Sequence, residues 1–215
     1  MSRATWSSES GGLPVPGPPA TFHPVTVVSQ PVFITVENYL AAEELSAVKH
    51  EYLGGTVHAM PGATIRHNNI AGNCFGSLHS QLRGKACQPH NSDTKVRIQY
   101  ADHTRLYYPD AMVVCESNPD TQHFQDRPVV VIEVLSESTR RTDLAEKRDA
   151  YLTIPTLMIL VFVEPNSPLV TLHRRKPHGG FEIECYSGLD AILPFPEIDA
   201  ALPLAELYER IAFAP

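Results

Sequence analysis

Residues 128–136, with the sequence PVVVIEVLS, place one carboxylate inside a run of β-branched apolar residues. A run of this length and composition predicts a strand that is buried on both faces. An ionised Glu133 in such a strand is strongly destabilising unless a cation, a metal ion or several hydrogen-bond donors meet it. A cation, a metal ion or a set of donors is therefore expected next to Glu133.

A second β-rich run lies upstream, at residues 107–115, and it carries another acid near its start. Asp110 follows Pro109 there. Proline restricts the backbone before it and suits only a strand end, an edge or a bulge. The pattern therefore predicts Asp110 at the beginning of a strand that precedes the Glu133 strand.

Downstream, residues 142–152 have the pattern of a helix. The 3.6-residue period of a helix places Asp143, Lys147 and Tyr151 on one face. The chain thus carries an acid on one strand, an acid on the next strand and a lysine on the following helix. Lys147 is the first candidate for the partner of Glu133.

This ordered set resembles the Uma family of restriction endonucleases, the group called Uma two, which belongs to the PD…(D/E)xK nuclease superfamily. The resemblance runs from about Thr35 to about Val163. It implies an α/β, restriction-endonuclease-like fold with a mixed β-sheet flanked by helices. The residues that carry it are Asp110 after Pro109, Glu133 in the sequence VIEVLS, and the run from Ser136 through Asp143 and Lys147 to Tyr151.

One position departs from the basic superfamily pattern. The lysine of that pattern stands two residues after the second acid, where this chain has Leu135. In the Uma group the lysine lies on the following helix, and Lys147 matches that arrangement. The resemblance therefore assigns the catalytic lysine to Lys147.

The resemblance also extends the candidate site. It implies that Glu51, at the start of a predicted hairpin, joins the carboxylates and that His67 approaches the metal or a phosphate. It also implies that Tyr151 contacts the catalytic residues rather than the metal itself. Local readings stay open for each residue. Glu51 and His67 fit surface or capping positions, and Tyr151 fits the core.

The expected chemistry follows from the like charges of Asp110 and Glu133, which repel unless a divalent cation lies between them. Oxygen ligands with retained waters match Mg²⁺ or Mn²⁺, with Asp110, Glu133 and Glu51 as the metal ligands. Such an ion activates water for attack on phosphorus. Lys147 would stabilise the developing charge. The alternative is that Glu133 and Lys147 form an ion pair without a metal.

The sequence therefore predicts a metal-dependent endonuclease that hydrolyses phosphodiester bonds, with DNA favoured over RNA. A catalytically inactive nucleic-acid-binding or regulatory protein with the same fold is the alternative, and hydrolysis of a smaller phosphate ester is a third possibility. The resemblance implies a homodimer, because two copies can cut the two strands of a duplex.

The formal net charge of -7 argues against a broadly basic nucleic-acid binder. It leaves room for a local basic strip. Residues 140, 141, 147 and 148 are all basic and could form one, although a solvated helix face explains them equally. A predicted strand at residues 94–100 carries Lys95, Arg97 and Gln99 on one face. These side chains could contact a phosphate backbone, and a solvated strand face explains them equally.

The chain divides into a Pro-, Ser- and Gly-rich leader at residues 1–30, expected to be disordered, and a single nuclease domain at residues 31–215. The four cysteines form no CxxC pair, and no secretory signal or long apolar span is visible. These features predict a cytoplasmic protein without membrane contact, whose cysteines are mostly small core residues.

Further local patterns predict the other elements. They indicate capped helices at 36–48 and 64–83, a hairpin at 51–60, a buried strand at 157–163 that runs parallel to the Glu133 strand, a hairpin at 169–186 and a final helix at 202–213.

Overall fold

The computed structural model describes residues 33–213, so the predicted leader at residues 1–30 lies outside the described residues. The strands are β1 His50–Leu53, β2 Thr56–Ala59, β3 Gln88–Asn91, β4 Lys95–Gln99, β5 Thr104–Tyr107, β6 Ala111–Val114, β7 Phe124–Gln125, β8 Pro128–Val134, β9 Ile159–Val163, β10 Leu169–Arg175, β11 Phe181–Ser187, β12 Ile192–Phe195 and β13 Ala200–Pro203. The α-helices are α1 Val36–Glu43, α2 Ile65–Leu82, α3 Arg140–Thr142, α4 Arg148–Leu152 and α5 Leu204–Leu207. A π-helical turn, Asp143–Lys147, joins α3 to α4, and a 3₁₀ turn, Pro196–Ile198, precedes β13.

The central sheet has six strands in the order β11-β10-β9-β8-β6-β3. Strands β8 and β9 run parallel, as predicted, while β8 and β6 are antiparallel. The crossover from β8 to β9 passes through α3, the π-helical turn and α4. The mixed α/β architecture predicted from the sequence is confirmed.

Strand β8 is buried on both faces, and its side chains alternate between two hydrophobic clusters. Val130, Ile132 and Val134 pack in the cluster that contains the apolar stripe of α2. Val131 packs on the other side with Tyr151. The continuous apolar run of β8 is explained by this two-sided burial, and Glu133 is the one carboxylate within it.

A second sheet has the order β2-β1-β5-β4-β7. Strands β1 and β2 form the predicted hairpin, with Gly54 and Gly55 in the turn at φ 56° and 103°. These positive φ values favour glycine over residues with a Cβ atom. The hairpin gives Glu51 its place on β1.

Two helices differ from the sequence prediction. Helix α1 is capped by Thr35 as predicted but ends at Glu43 rather than near residue 48. The final helix predicted at 202–213 is reduced to α5, because β13 pairs with β12 in a separate two-stranded sheet. The residues of β13, directly before α5, therefore form their backbone hydrogen bonds with β12 rather than within a helix, and the burial of Leu202 stabilises this pairing.

The prediction that the cysteines are mostly small core residues is correct only for Cys74, because Cys87 and Cys115 are partly buried and Cys185 is exposed. Cys87 and Cys115 form a disulfide bond. Strands β3 and β6 pair Gln88 with Val114, so the residues just outside this pair face one another. Cys74 is buried as a free thiol and Cys185 is exposed. Within the described part of the chain, no helix has the length and apolar character needed to cross a membrane.

Candidate active site

A single lysine lies at the centre of a buried acidic cluster. The Lys147 ammonium lies 2.7 Å from Glu51 Oε1, 3.5 Å from Asp143 Oδ1 and 3.6 Å from Glu133 Oε1. Only 6% of the Lys147 side chain is exposed. One ammonium therefore serves three carboxylates that have little access to water.

Different elements bring these side chains together. Glu51 comes from β1 in the second sheet, and Glu133 from the end of β8 in the central sheet. Asp143 and Lys147 stand at the two ends of the π-helical turn. A π-helical turn is rare and is frequently found at functional sites, because it changes which side chains share a helix face.

Asp110 lies just before β6 and next to the β8 backbone. Its Oδ2 atom accepts a hydrogen bond of 2.7 Å from the Val134 backbone N–H. His67 Nε2 lies 3.3 Å from the same oxygen. The pairing of Ala111 with Ile132 places Asp110 and Glu133 at neighbouring positions on antiparallel strands.

The Glu133 carboxylate is destabilised in its ionised form. Burial raises its pKa most strongly, Lys147 opposes that rise, and the negative charges of Asp110 and Asp143 add to it. Burial also raises the pKa of Glu51 and of Asp143, again against the opposing charge of Lys147. The cluster therefore holds more negative charge than its lysine neutralises.

The pKa of Lys147 is raised as well, which in a lysine favours the charged form. Burial by itself would lower its pKa, but the charges of Glu133, Glu51 and Asp143 outweigh burial and raise it. The raised pKa of the lysine and the raised pKa values of the carboxylates are consistent. The lysine is attracted by three carboxylates, whereas the three carboxylates have one ammonium between them. Lys147 is therefore a permanent cation.

Tyr151 contacts the cluster directly. Its hydroxyl donates a hydrogen bond of 2.7 Å to Glu133 Oε1, and its ring packs edge-on against Tyr107. The side chain is fully buried. Both Tyr151 and Lys147 approach the same oxygen of Glu133, which fixes the orientation of that carboxylate.

His67 is the other cationic candidate. It lies in the first turn of α2, whose N-cap is Thr64. Burial lowers the pKa of His67, but its contact with Asp110 more than offsets burial, so the pKa is raised. His67 contacts a candidate metal ligand and is thus more than a capping residue.

All six site residues predicted from the sequence occupy this region. Glu51, Glu133, Lys147 and Tyr151 form one connected cluster, and Asp110 with His67 forms an adjoining pair. Asp143 also belongs to the cluster, although it is not among the site residues predicted from the sequence. Its position four residues before Lys147 was the available signal.

The basic residues of the following helix do not form a strip. Lys147 is buried among acids, Arg140 pairs with Glu164, and Arg148 pairs with Asp149. Likewise, Arg97 forms a bidentate ion pair with Asp126, with distances of 2.7 and 2.8 Å. The positive charges that the sequence offered for phosphate contacts are mostly committed to carboxylates.

Within residues 33–213, no group of three or more His, Cys, Asp and Glu side chains has the arrangement of a metal site. Mg²⁺, however, is commonly bound through one or two carboxylates and several waters. The four carboxylates of Glu51, Asp110, Glu133 and Asp143 are opposed by Lys147 and by His67 when it is protonated. This excess of buried negative charge fits a divalent cation.

The chain thus combines a mixed α/β fold with a buried acid–lysine cluster that is built from two strands and the helical segment after β8. A crystal structure from Anabaena variabilis, described as that of "a putative nuclease", has the same fold. It aligns with a TM-score of 0.65 and 19% sequence identity, over 81% of this chain and 97% of that chain. At this identity the similarity shows the fold alone.

Sequence comparisons identify the family. The model of the Uma2 family, described as "Putative restriction endonuclease", matches residues 36–205. The uncharacterized protein slr1290 of Synechocystis sp. is 30% identical over 182 residues, 84% of this chain and 94% of the relative. The uncharacterized protein sll1609 of the same organism is 29% identical over 141 residues, 64% of this chain and 78% of the relative. The chain belongs to the Uma2 family.

Proposed function

We propose that this protein is a metal-dependent endonuclease that hydrolyses phosphodiester bonds, with DNA as its preferred substrate. The observation that carries the proposal is Glu133, a carboxylate buried beside Asp110 in a cluster with more negative charge than Lys147 can neutralise. A structural ion pair needs one acid and one base. Here three carboxylates share the one lysine, and the surplus suits a site that takes up a cation.

The roles follow from the contacts. Asp110 and Glu133 would hold Mg²⁺ or Mn²⁺, with Glu51 completing the shell directly or through water. When bound, this ion activates a water for attack on phosphorus and offsets the charge on the phosphate oxygens. Lys147 supplies a fixed positive charge to the transition state. Tyr151 holds Glu133 in place, and His67 together with the Val134 N–H orients Asp110.

The second candidate is a catalytically inactive nucleic-acid-binding or regulatory protein of the same fold. The 2.7 Å contact between Lys147 and Glu51 favours it, because the protein itself supplies this lysine with a close counter-ion. The two candidates differ in divalent-ion binding. A calorimetric titration therefore separates them.

The test combines Mn²⁺ titration with incubation of supercoiled plasmid and single-stranded DNA, for the parent protein and the Glu133→Gln variant. The amide keeps the size of the side chain and can still accept the Tyr151 hydrogen bond. The matched control is Glu137→Gln, an exposed acid four positions further along the chain. Circular dichroism checks that each variant is folded.

We expect Mn²⁺ binding and nicking in the parent and in Glu137→Gln. Glu133→Gln should lose nicking by at least about 100-fold, because it loses a ligand that stabilises the reacting charge. Equal nicking by Glu133→Gln would remove this residue from the site. Absence of Mn²⁺ binding in the parent would favour the inactive protein.

We further propose a homodimer. Two copies with opposed sites would cut the two strands of a duplex. Linear product formed directly from supercoiled plasmid, together with the mass in solution, tests this arrangement.

A further inference from the structure

Lys95, the first residue of β4, is buried without a counter-ion. It is 5% exposed. Among residues 33–213 its ammonium takes part in neither a hydrogen bond nor an ion pair, and its recorded contact is with the Tyr108 ring, whose centroid lies 4.8 Å away. The Lys95 nitrogen is not fully enclosed and keeps some access to solvent, so an anion can reach it, while the burial of the side chain lowers its pKa.

A second lysine approaches the same ring. The Lys49 ammonium lies 5.3 Å from the Tyr108 centroid, and it contacts the Ser92 carbonyl at 2.8 Å and Asp93 Oδ1 at 2.6 Å. Asp93 is 73% exposed. An exposed ion pair of this kind contributes little, so Lys49 can exchange Asp93 for another anion.

The nearby acid Glu43 is not free to serve as the missing counter-ion. Its Oε1 atom accepts hydrogen bonds from the His50 backbone N–H at 2.7 Å and from the Tyr108 hydroxyl at 3.0 Å, and its Oε2 atom lies 2.9 Å from His50 Nδ1. The Glu43 side chain is only 5% exposed. Its charge acts on Lys95 from a distance, while its oxygens are committed to other donors.

The tyrosine whose ring both lysines approach is adjacent in sequence to the candidate active site. Tyr108 immediately precedes Pro109 and Asp110. Two residues of extended chain span at most about 7 Å, so the Tyr108 backbone is close to that of Asp110. Phosphates recur about every 3.4 Å of helix axis along each DNA strand. A strand held at Asp110 therefore brings further phosphates close to this segment.

We propose that Lys95 and Lys49 bind a backbone phosphate of the substrate strand, next to the phosphate that is cleaved. The proposal rests on the proposed function for the identity of the ligand. The recognised group is the phosphate itself, so the contact is independent of base sequence. Both ammonium groups lie against the Tyr108 ring. Because Tyr108 is two residues from Asp110, this contact relates the position of the two lysines to that of the candidate metal ligand.

The test measures binding of a short labelled DNA duplex by fluorescence anisotropy at several salt concentrations, in EDTA so that no cleavage occurs. The variants are Lys95→Met and Lys49→Met, which remove the charge and keep an unbranched side chain. The control is Lys85→Met, because Lys85 pairs with Asp199 at 2.6 Å and follows the end of α2. Lys49→Met, at a part-exposed position, serves if Lys95→Met does not fold.

We expect each variant to bind several-fold more weakly at low salt than the parent and to reduce the slope of log K against log salt by about one unit. Lys85→Met should match the parent. Unchanged affinity and slope in both Lys95→Met and Lys49→Met would overturn the phosphate site and leave the nuclease proposal standing.

A second measurement separates the two proposals. Pyrophosphate should raise the unfolding temperature of the parent and of Glu133→Gln but not that of Lys95→Met. If this pattern holds while the parent fails to nick DNA with Mn²⁺, the phosphate site stands and the nuclease proposal falls. If neither pyrophosphate nor DNA binds the parent, the phosphate site is overturned as well.

Discussion

Lys147 is the residue at which the nuclease and ion-pair hypotheses differ most. It contacts Glu51, Glu133 and Asp143 in a site almost closed to water. Buried ion pairs contribute little net stability, but removing one partner leaves the other charged and unpaired. The role of the lysine can therefore be measured by removing its charge.

We predict that Lys147→Met lowers the free energy of unfolding by about 3–5 kcal/mol in EDTA, because three carboxylates lose their cation. Mn²⁺ should restore much of this stability, and nicking should still fall by at least about 100-fold. Urea unfolding with and without Mn²⁺ provides the measurement, and Lys176→Met, at an exposed position, is the control. A variant with full activity would show that Lys147 is structural.

Glu133 gives the site a dependence on pH. Its pKa is higher in the folded protein than in the unfolded chain, so the folded state holds its proton to higher pH. The contribution of Glu133 to the free energy of unfolding is complete below its pKa in the unfolded chain. It is lost as the pH rises through its pKa in the folded protein. Glu133→Gln has no such loss. The free energy of unfolding of this variant, measured relative to the parent in EDTA, should therefore increase from pH 5 to pH 8. A constant difference would contradict the raised pKa.

At the scale of the element, the π-helical turn determines where Asp143 and Lys147 lie. Glu146, within this turn, accepts a hydrogen bond of 2.8 Å from the Tyr107 hydroxyl and lies 3.2 Å from Arg105. These contacts tie the turn to β5 in the second sheet. Glu146 is thus a positioning residue for Lys147.

We predict that Glu146→Ala reduces the nicking rate by about 10-fold while Mn²⁺ affinity stays close to that of the parent, because a misplaced lysine affects the transition state more than the metal ligands. Glu146→Gln should recover most of the rate, since its amide oxygen can still accept from Tyr107. Asp149→Ala, at an exposed acid on the same helix, is the control. Equal losses of rate and metal affinity would indicate general disruption instead.

At the scale of the whole molecule, the Cys87–Cys115 bond joins the edge strand β3 to β6, which begins next to Asp110. It closes a segment with a sequence separation of 28 residues. Cytosolic thiols are normally kept reduced. The disulfide therefore counts against the reducing cytoplasm expected from the sequence, and the cytoplasmic location stays a prediction.

We predict that replacing both Cys87 and Cys115 by alanine lowers the free energy of unfolding by about 2–4 kcal/mol, as expected for a loop of this length. Peptide mapping of protein purified without reductant should recover the two cysteines in one linked product. Cys185→Ala, at an exposed free thiol, should have no effect. An unchanged unfolding temperature after reduction would show that the bond does not support the fold.

Local signals in the sequence were sufficient for much of the fold. The apolar run of β8 predicted its two-sided burial, the Gly-Gly pair predicted the β1–β2 hairpin, and Thr64 predicted the start of α2. Each of these features depends on residues close together in the chain. The order of Asp110, Glu133 and Lys147 was also enough to indicate the family.

The tertiary structure alone decided which distant groups meet. Asp143 became part of the acidic cluster because the π-helical turn faces both β1 and β8, and Lys95 became a buried cation whose ammonium lies over the Tyr108 ring. The arrangement of the strands in the two large sheets and the disulfide likewise depend on residues that are far apart in the chain. The sequence by itself determined the elements and the types of chemical group, because periodicity and turn residues act locally. The charge balance of the site was decided only by folding, because burial and the distances between charges are properties of the packed chain.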